Sequence, residues 1–410
     1  MRRWPALLAV VLLLPAVVAA AAEPPAAADP DRAQRQAAIE SDASLPERAR
    51  ATLFRARTSL DDGDPAAAAD VLQAWLGGDP GRDHHLLRFE LGAALLADGR
   101  AEAARAELRA AVGLEPAFAR AWLRLGEAAY EGAQYTEAAD AFVRAYALLP
   151  DPPAEILHYA AVCRLQAGDA AGACDLLAPL VAADPAGAPF AWHQALAAAA
   201  IEAGTPARAR GPLAALLAAR PDDRAVWDLA WRFAAGSGDY RDAAVLLKAE
   251  GFLAELDAAE LEQLGELFAA VGIPLEAARA WTRAAELRRG GEGGEGDGTA
   301  RLARAWLAAH EPGQARAVLA DALAARGEDA ALLALLGEVA LAAEDHAGAL
   351  DAFARAAAAD PDDGRAALMA GWCALELDRL GEARRFLSAA AAFPEQAEAA
   401  RGLLGRLGGE

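Results

Sequence analysis

A pattern of small and bulky residues that recurs after thirty-four positions constrains this chain more than any other feature of its sequence. The first copy consists of Leu91, Gly92, Ala104 and Pro116, and the second of Leu125, Gly126, Ala138 and Pro150. A spacing kept over a full period indicates a repeated supersecondary unit, because each unit leaves an apolar face that only the next unit covers. We therefore expect an extended array rather than one globular core.

The second copy is the fullest and shows which repeat family the chain resembles. Trp122 lies three residues before Leu125, and Phe142 and Ala145 precede Pro150. These residues follow the W-x2-L-G, A-x3-F and P spacing, so the chain resembles the tetratricopeptide-repeat (TPR) family. Further copies contain Leu264, Gly265, Ala277, Leu336, Gly337, Ala349, Phe353 and Pro361. The resemblance covers about ten units over residues 49–397.

The resemblance implies an all-α fold, a right-handed α-α superhelix (solenoid) of about ten TPR-like helical hairpins. The residue types support this fold. Gly126 and Ala138 are small and lie on the two helices of one hairpin, so the helix axes can approach closely. Pro150 lacks an amide hydrogen and excludes helical geometry at the residue before it, and therefore ends the second helix.

Composition divides the chain into six segments. We predict a signal peptide at 1–22, an Ala/Pro-rich acidic linker with at most a short helix at 23–48, TPR-like repeats at 49–289, a Gly/acid-rich flexible insertion at 290–298, further TPR-like repeats at 299–397, and a C-terminal cap and tail at 398–410. The insertion is too rich in glycine and like charge to be helical.

The first twenty-two residues have the order of a secretory signal. Arg2 and Arg3 precede an apolar run at 6–18, which small residues follow up to Ala22. We predict cleavage near Ala22 and export to the periplasm or the medium, with no membrane span after cleavage. The alternative is that the segment is retained as an N-terminal anchor.

Charge excludes several classes of partner. The chain has 60 Asp and Glu against 39 Lys and Arg, a net charge of −21, and Lys248 is its one lysine. Because phosphates would be repelled and the arginines are scattered, we expect no binding to nucleic acid or anionic lipid.

We find no motif that supports a catalytic, cofactor-binding or metal-binding site. His84 and His85 are adjacent, and adjacent helical residues point about 100° apart, so we interpret the pair as a solvated loop at a repeat boundary. The Gly-rich stretch has no preceding strand and no following lysine, so it does not fit a phosphate-binding loop. We predict a protein that is not an enzyme and has no cofactor.

Three cysteines would meet an oxidising compartment after export. Cys163 and Cys174 fall on the two helices of one predicted hairpin, and Cys373 lies far from both. One interpretation is three small buried side chains, and the other is a Cys163–Cys174 disulfide that clamps the hairpin.

In TPR proteins the first helices line a concave groove, and the resemblance implies that their second, fifth, ninth, twelfth and thirteenth positions face it. These positions include Phe89, Arg120, Glu127, Tyr130, His158, Glu266 and Trp372. Lys and Asn, which form the family's carboxylate clamp, are absent from the fifth and ninth positions of the clear units. A polar groove with isolated aromatic residues favours a peptide or a partner domain.

The leading functional hypothesis is a periplasmic scaffold of a bacterial envelope assembly. The late part of the chain is also similar to TPR proteins that accompany TonB-type uptake systems. The alternative is a groove-based enzyme or a carbohydrate-handling protein of the cell envelope.

Overall fold

The computed structural model describes residues 30–289 and 298–407. The predicted signal peptide therefore lies outside the described residues, as does the predicted insertion except for Gly298. The described chain divides into two compact units, with the boundary between Pro221 and Asp222.

Unit 1 is made of helices joined by short turns. The helices are α1 Pro30–Glu40, α2 Glu47–Asp61, α3 Pro65–Leu76, α4 His85–Ala97, α5 Ala101–Leu114, α6 Ala119–Glu131, α7 Tyr135–Leu148, α8 Glu155–Gln166, α9 Ala170–Ala183, α10 Phe190–Glu202 and α11 Ala207–Ala219. After α1 they form five hairpins, from α2–α3 to α10–α11, and each hairpin packs on the next.

Unit 2 repeats this arrangement and ends with a single helix. Its helices are α12 Arg224–Gly236, α13 Tyr240–Glu250, α14 Ala258–Ala270, α15 Pro274–Arg289, α16 Gly298–Ala308, α17 Pro312–Arg326, α18 Ala330–Ala342, α19 His346–Ala359, α20 Gly364–Glu376, α21 Leu380–Ala390 and α22 Ala397–Leu407. The prediction of an all-α array of helical hairpins is confirmed, and residues 30–289 and 298–407 contain no strand.

The repeated glycine makes room for a side chain sixteen positions later. A Cβ atom built on Gly126 would lie 2.8 Å from two ring carbons of Phe142, which is 2% exposed. The equivalent pairs are Gly92 with Leu108, Gly265 with Trp281, Gly337 with Phe353 and Gly371 with Leu387. The residues at the +12 position, Ala104, Ala138, Ala277 and Ala349, are fully buried. Close approach of the two helices therefore depends on a glycine facing a bulky side chain, with a small alanine one turn earlier.

The other repeat-defining residues differ in burial. Leu91, Leu125, Leu264, Phe353 and Ala145 are buried, Trp122, Leu336 and Pro150 are half-buried, and Pro116 and Pro361 are exposed in the turns between hairpins. The indole Nε1 of Trp122 donates to the Pro116 carbonyl at 2.9 Å, which fixes the turn that enters α6.

Every hairpin turns through one residue with positive φ. Six of these residues are glycines, such as Gly99 at φ +76°, whereas Ala133, His310, Glu344 and Asp378 hold φ between 55° and 60°. At the α6–α7 turn the amide of Gln134 donates to the Ala129 carbonyl at 2.8 Å, and the amide of Ala133 donates to the Tyr130 backbone carbonyl at 3.0 Å. These bonds satisfy carbonyls at the end of α6 and require the left-handed conformation between them.

The segments predicted beside the repeats contain regular structure. Helix α1 lies within residues 23–48, followed by a 3-10 turn at Asp42–Ser44. Gly298 is the first residue of α16, and α22 covers most of the predicted cap, with Ala400 buried. No described helix has the length and apolar character that a membrane span requires.

Candidate functional site

The ninth positions of the first helices present side chains to solvent. Glu266 is exposed, and Glu127 and Trp372 are half-buried. The Glu127 carboxylate pairs with Arg124 of its own helix at 2.6 Å, whereas Glu266 pairs with Arg301 of the next first helix, α16, at 3.2 Å. Because this position follows the buried glycine by one residue, it points away from the second helix of the hairpin.

The fifth positions lie differently. Phe89 is 4% exposed, and its ring lies 4.8 Å from that of Phe118 in the turn before the next hairpin. His158 is 5% exposed, and its ring stacks on Trp192 of α10 with 6.0 Å between centroids. These two predicted partner-binding residues pack hairpin against hairpin and have almost no surface to offer a partner.

His158 shows the electrostatic consequence of this burial. Its Nδ1 atom is buried and has no hydrogen-bond partner among the described residues. Burial lowers the pKa of His158 to about 4, because the charged imidazolium loses hydration that nothing nearby replaces. The ring is therefore neutral near pH 7.

Tyr130 and Arg120 remain at the surface of unit 1. Tyr130 is half-buried, with its ring 5.8 Å from that of Tyr135, and burial raises the pKa of its hydroxyl. Arg120 is exposed, and its guanidinium lies 5.4 Å from the ring centroid of Phe89, so it covers that ring. Tyr130 offers a rigid ring edge at the end of α6, next to the exposed Glu131.

In unit 2, a cluster of charged and aromatic residues joins α14, α15 and α16. The guanidinium of Arg301 lies 4.5 Å from the ring centroid of Trp281 and pairs with Glu266. Trp281 Nε1 donates to the Glu262 carbonyl at 3.2 Å, and the Glu262 carboxylate pairs with Arg288. Sequence reasoning named Glu266 alone. An acidic ninth position followed by an arginine in the next first helix was the sequence signal that could have identified Arg301.

The end of unit 2 repeats the combination of charge and ring. Trp372 on α20 packs edge-to-face on His346 with 5.7 Å between ring centroids. Arg365 of α20 pairs with Glu338 of α18, the preceding first helix, at 3.0 Å. Glu338 occupies the ninth position of α18, as Glu266 does in α14. Unit 2 thus has two arginine–glutamate pairs between neighbouring first helices, one in contact with Trp281 and the other on the helix that carries Trp372.

The three cysteines are buried free thiols, so the Cys163–Cys174 disulfide is not formed in this structure. Cys163 packs among Ala129 and Phe142 of the preceding hairpin and Ile156 of its own helix, whereas Cys174 contacts the Thr205 hydroxyl of the following hairpin at 4.0 Å. The two side chains therefore serve different hairpin interfaces. Burial raises the pKa of the Cys163 thiol to about 12, which makes it a poor nucleophile.

The paired histidines have structural contacts. His84 is the residue before α4, and its Nδ1 accepts from the Leu86 amide at 3.2 Å. His85 Nε2 donates to the Ile39 carbonyl of α1 at 2.9 Å. His84 thus caps the start of α4, and His85 attaches α1 to α4.

Helix α1 lies along the edge of unit 1 where the first helices begin, and sequence reasoning missed this contact. The amide of Gln36 is buried, and its Nε2 donates to the Ala117 carbonyl at 2.7 Å. Its Oε1 accepts from the Ala119 amide, the first amide of α6, at 3.1 Å. A contact between residues that lie 83 positions apart in sequence left no local signal.

Comparisons with known proteins identify the same repeats in the sequence. One family model described as tetratricopeptide repeat matches residues 26–83, 89–153 and 300–363, and a second such model matches 340–407. No match to this chain was found among the curated proteins.

Several solved structures are similar to the chain. The complex of Naa15/Naa10 bound to HypK-THB has 15% identity and a TM-score of 0.45, and the match covers 86% of this chain and 64% of that chain. A tetratricopeptide repeat protein from Parabacteroides merdae has 14% identity and a TM-score of 0.36, with 59% of this chain and 94% of that chain covered. The chain thus spans less than two thirds of the length of the Naa15 complex chain. These TM-scores are low, so the assignment rests on the family models and on the repeated glycine contacts. The chain belongs to the tetratricopeptide-repeat family.

Proposed function

We propose that this protein is a non-enzymatic scaffold that binds a peptide or a partner domain on the first-helix faces of its hairpins. The observation that carries the proposal is that side chains at the ninth and twelfth positions reach solvent. Glu266 is exposed, Glu127, Tyr130 and Trp372 are half-buried, and the two glutamates pair with arginines. Fixed rings next to paired charges suit an ordered peptide, because the rings anchor it and the charges orient it.

The partner carries basic or mixed charge in this proposal. The chain has a net charge of −21, and the ninth positions of α6, α14 and α18 are all glutamates. The arginines that pair with them leave a surface with alternating signs of charge. An acidic tail is disfavoured on such a surface by like-charge repulsion.

The test places a photo-crosslinking amino acid at Tyr130 or at Trp372 in the full chain. Arg144 and Arg384 are the controls, since they are exposed and lie on second helices of the same units. The proposal expects one crosslinked protein at the first pair of positions and none at the controls. Equal crosslinking at all four positions would show that the partner binds on another surface. Turnover of any compound in a panel of substrates would contradict the non-enzymatic scaffold and favour an enzyme.

Binding can then be measured with the captured partner. Tyr130→Ala should weaken it by about 1–2 kcal/mol, roughly 5- to 30-fold, the range of a moderate hot spot. His158→Ala tests folding rather than binding, because that ring is buried. Unchanged affinity in Tyr130→Ala together with Glu127→Ala would contradict the proposed face.

We propose further that the protein is exported to a bacterial periplasm and serves an envelope assembly or uptake system. Arg2, Arg3 and the apolar run at 6–18 support export, and these residues lie outside the described part of the chain. N-terminal sequencing of protein expressed with its own leader should find a start near Glu23 in the periplasmic fraction. An intact Met1 in the membrane fraction would contradict this.

A further inference from the structure

Helix α1 forms hydrogen bonds with both a carbonyl and an amide of the backbone at the start of α6. The Gln36 side chain donates to the Ala117 carbonyl and accepts from the Ala119 amide. Phe118, the residue before α6, makes no capping hydrogen bond with its side chain, so the first amide of α6 depends on a side chain supplied from elsewhere. A single amide side chain thus satisfies a donor and an acceptor that would otherwise lack protein partners.

Two further contacts flank Gln36 at intervals of four residues. Arg32 Nη1 donates to the Leu149 carbonyl at 3.1 Å, and Glu40 pairs with Arg120 at 3.1 Å. Residues four apart lie on one face of a helix, so Arg32, Gln36 and Glu40 form a stripe of basic, amide and acidic groups. Each member meets a complementary group on unit 1, and the His85 imidazole adds a bond to the Ile39 carbonyl.

Helix α1 is attached mainly through these polar contacts. Within Pro30–Glu40, Gln36 alone is buried, and Ile39 is the apolar side chain that packs on the core of unit 1. A cavity of about 340 Å³ remains beside the helix, lined by Arg35, Ile39, Ala117 and Leu148 among others. Eleven residues are too few for a helix that is stable alone, so α1 keeps its shape through this docking.

We propose that this edge of unit 1, formed by His85, Ala117, Ala119, Arg120 and Leu149 and called here the α1 site, is a helix-binding site. In the structure its own α1 closes it. When α1 leaves, the α1 site takes a helix of a partner protein with the same stripe, a basic residue, a glutamine and an acidic residue at four-residue spacing. This goes beyond the proposed binding on the first-helix faces and does not require it, since the two surfaces share only Arg120.

The complementarity of the α1 site argues for a partner of this chemistry. Its two backbone carbonyls need donors, its amide needs an acceptor and its guanidinium needs an acid, in fixed order along the edge. A helix with a different order of groups would leave the buried Ala119 amide and the half-buried Ala117 and Leu149 carbonyls without partners, which disfavours it. An apolar helix would satisfy none of them.

The test uses a fluorescein-labelled peptide of residues 30–44, titrated by fluorescence anisotropy against the full chain. Wild type should bind it weakly, because α1 occupies the site and the apparent dissociation constant rises as the open fraction falls. Gln36→Ala in the chain releases α1 and should tighten peptide binding at least about tenfold. Gln34→Ala is the matched control, since Gln34 is an exposed glutamine of the same helix.

Further variants distinguish release of α1 from damage to α6. Arg32→Ala leaves the start of α6 untouched and should also tighten peptide binding, whereas Arg120→Glu added to Gln36→Ala should abolish it. A peptide that carries Gln36→Ala should not bind any of these chains. Hydrogen exchange of the α1 amides should become faster in Gln36→Ala while that of the α8 amides is unchanged.

Two results would overturn the proposal. One is equal peptide affinity for wild type, Gln34→Ala and Gln36→Ala although exchange shows that α1 has been released. The other is exchange of the α1 amides only on unfolding of the whole of unit 1, in wild type and in Gln36→Ala alike, since α1 would then be an integral part of the fold.

Discussion

Replacing Gly126 tests the contact on which the repeat depends. An alanine Cβ would lie 2.8 Å from two ring carbons of Phe142 and 3.0 Å from a third, whereas carbon atoms in contact prefer about 3.5–4.0 Å. The ring must therefore move by several tenths of an ångström. It is 2% exposed and packs among Ala129, Ile156 and Cys163, so its neighbours have to move with it.

The magnitude follows from two opposing effects. Overpacking of this kind costs about 1–3 kcal/mol, while alanine in a helix interior gains about 1 kcal/mol over glycine. Gly126→Ala should therefore destabilise by up to about 2 kcal/mol, and Gly126→Leu by more than about 2 kcal/mol. The control is Gly113 on α5, which is exposed and has no atom within 4 Å of an added Cβ.

Urea unfolding followed by circular dichroism measures these differences in the full chain. Gly113→Ala should be neutral or stabilising, because only helix propensity acts there. Adding Phe142→Leu to Gly126→Ala should restore part of the lost stability, since the smaller side chain gives way to the new methyl group. Equal small shifts at Gly113 and Gly126, or no restoration in the double variant, would refute the proposed glycine–ring contact.

Three further predictions follow from burial, backbone geometry and charge. Burial lowers the pKa of His158 to about 4 from an unfolded value near 6.5, so its contribution to stability is fully present above pH 6.5 and is lost as the pH falls toward 4. His158→Phe should therefore reduce the change in unfolding free energy over this pH range by at most about 3 kcal/mol. Ala133→Gly should stabilise the protein by about 0.5–1 kcal/mol because φ is +55° at this position, whereas Ala106→Gly on the exposed face of α5 should destabilise it by about 1 kcal/mol. Shifts of the melting temperature with the same sign in both variants would contradict the turn geometry. For a basic captured partner, surface plasmon resonance should show that added salt lowers the association rate more than it raises the dissociation rate, since the net charge of −21 acts over a distance; salt effects confined to dissociation would argue against electrostatic steering.

The candidate binding face was only partly predictable. The ninth positions reach solvent at least in part because they follow a buried glycine that the sequence identifies directly, and Glu266 is exposed there. The fifth positions depend on the residue that the next hairpin brings against them, Phe118 for Phe89 and Trp192 for His158. The position of a residue in the repeat predicts which helix face it lies on. Whether an aromatic ring on that face is buried depends on the side chain that the next hairpin packs against it, which does not follow the repeat pattern.

The sequence by itself determined the hairpin and its repetition. A glycine, an alanine and a bulky residue at constant spacing encode the close helix contact, because steric size at a crossing is a property of the residue types. The tertiary structure alone decided which way Cys163 and Cys174 point, and which segment supplies the cap of α6. Both depend on contacts between different hairpins, where chain segments far apart in sequence meet and no periodic pattern records the pairing.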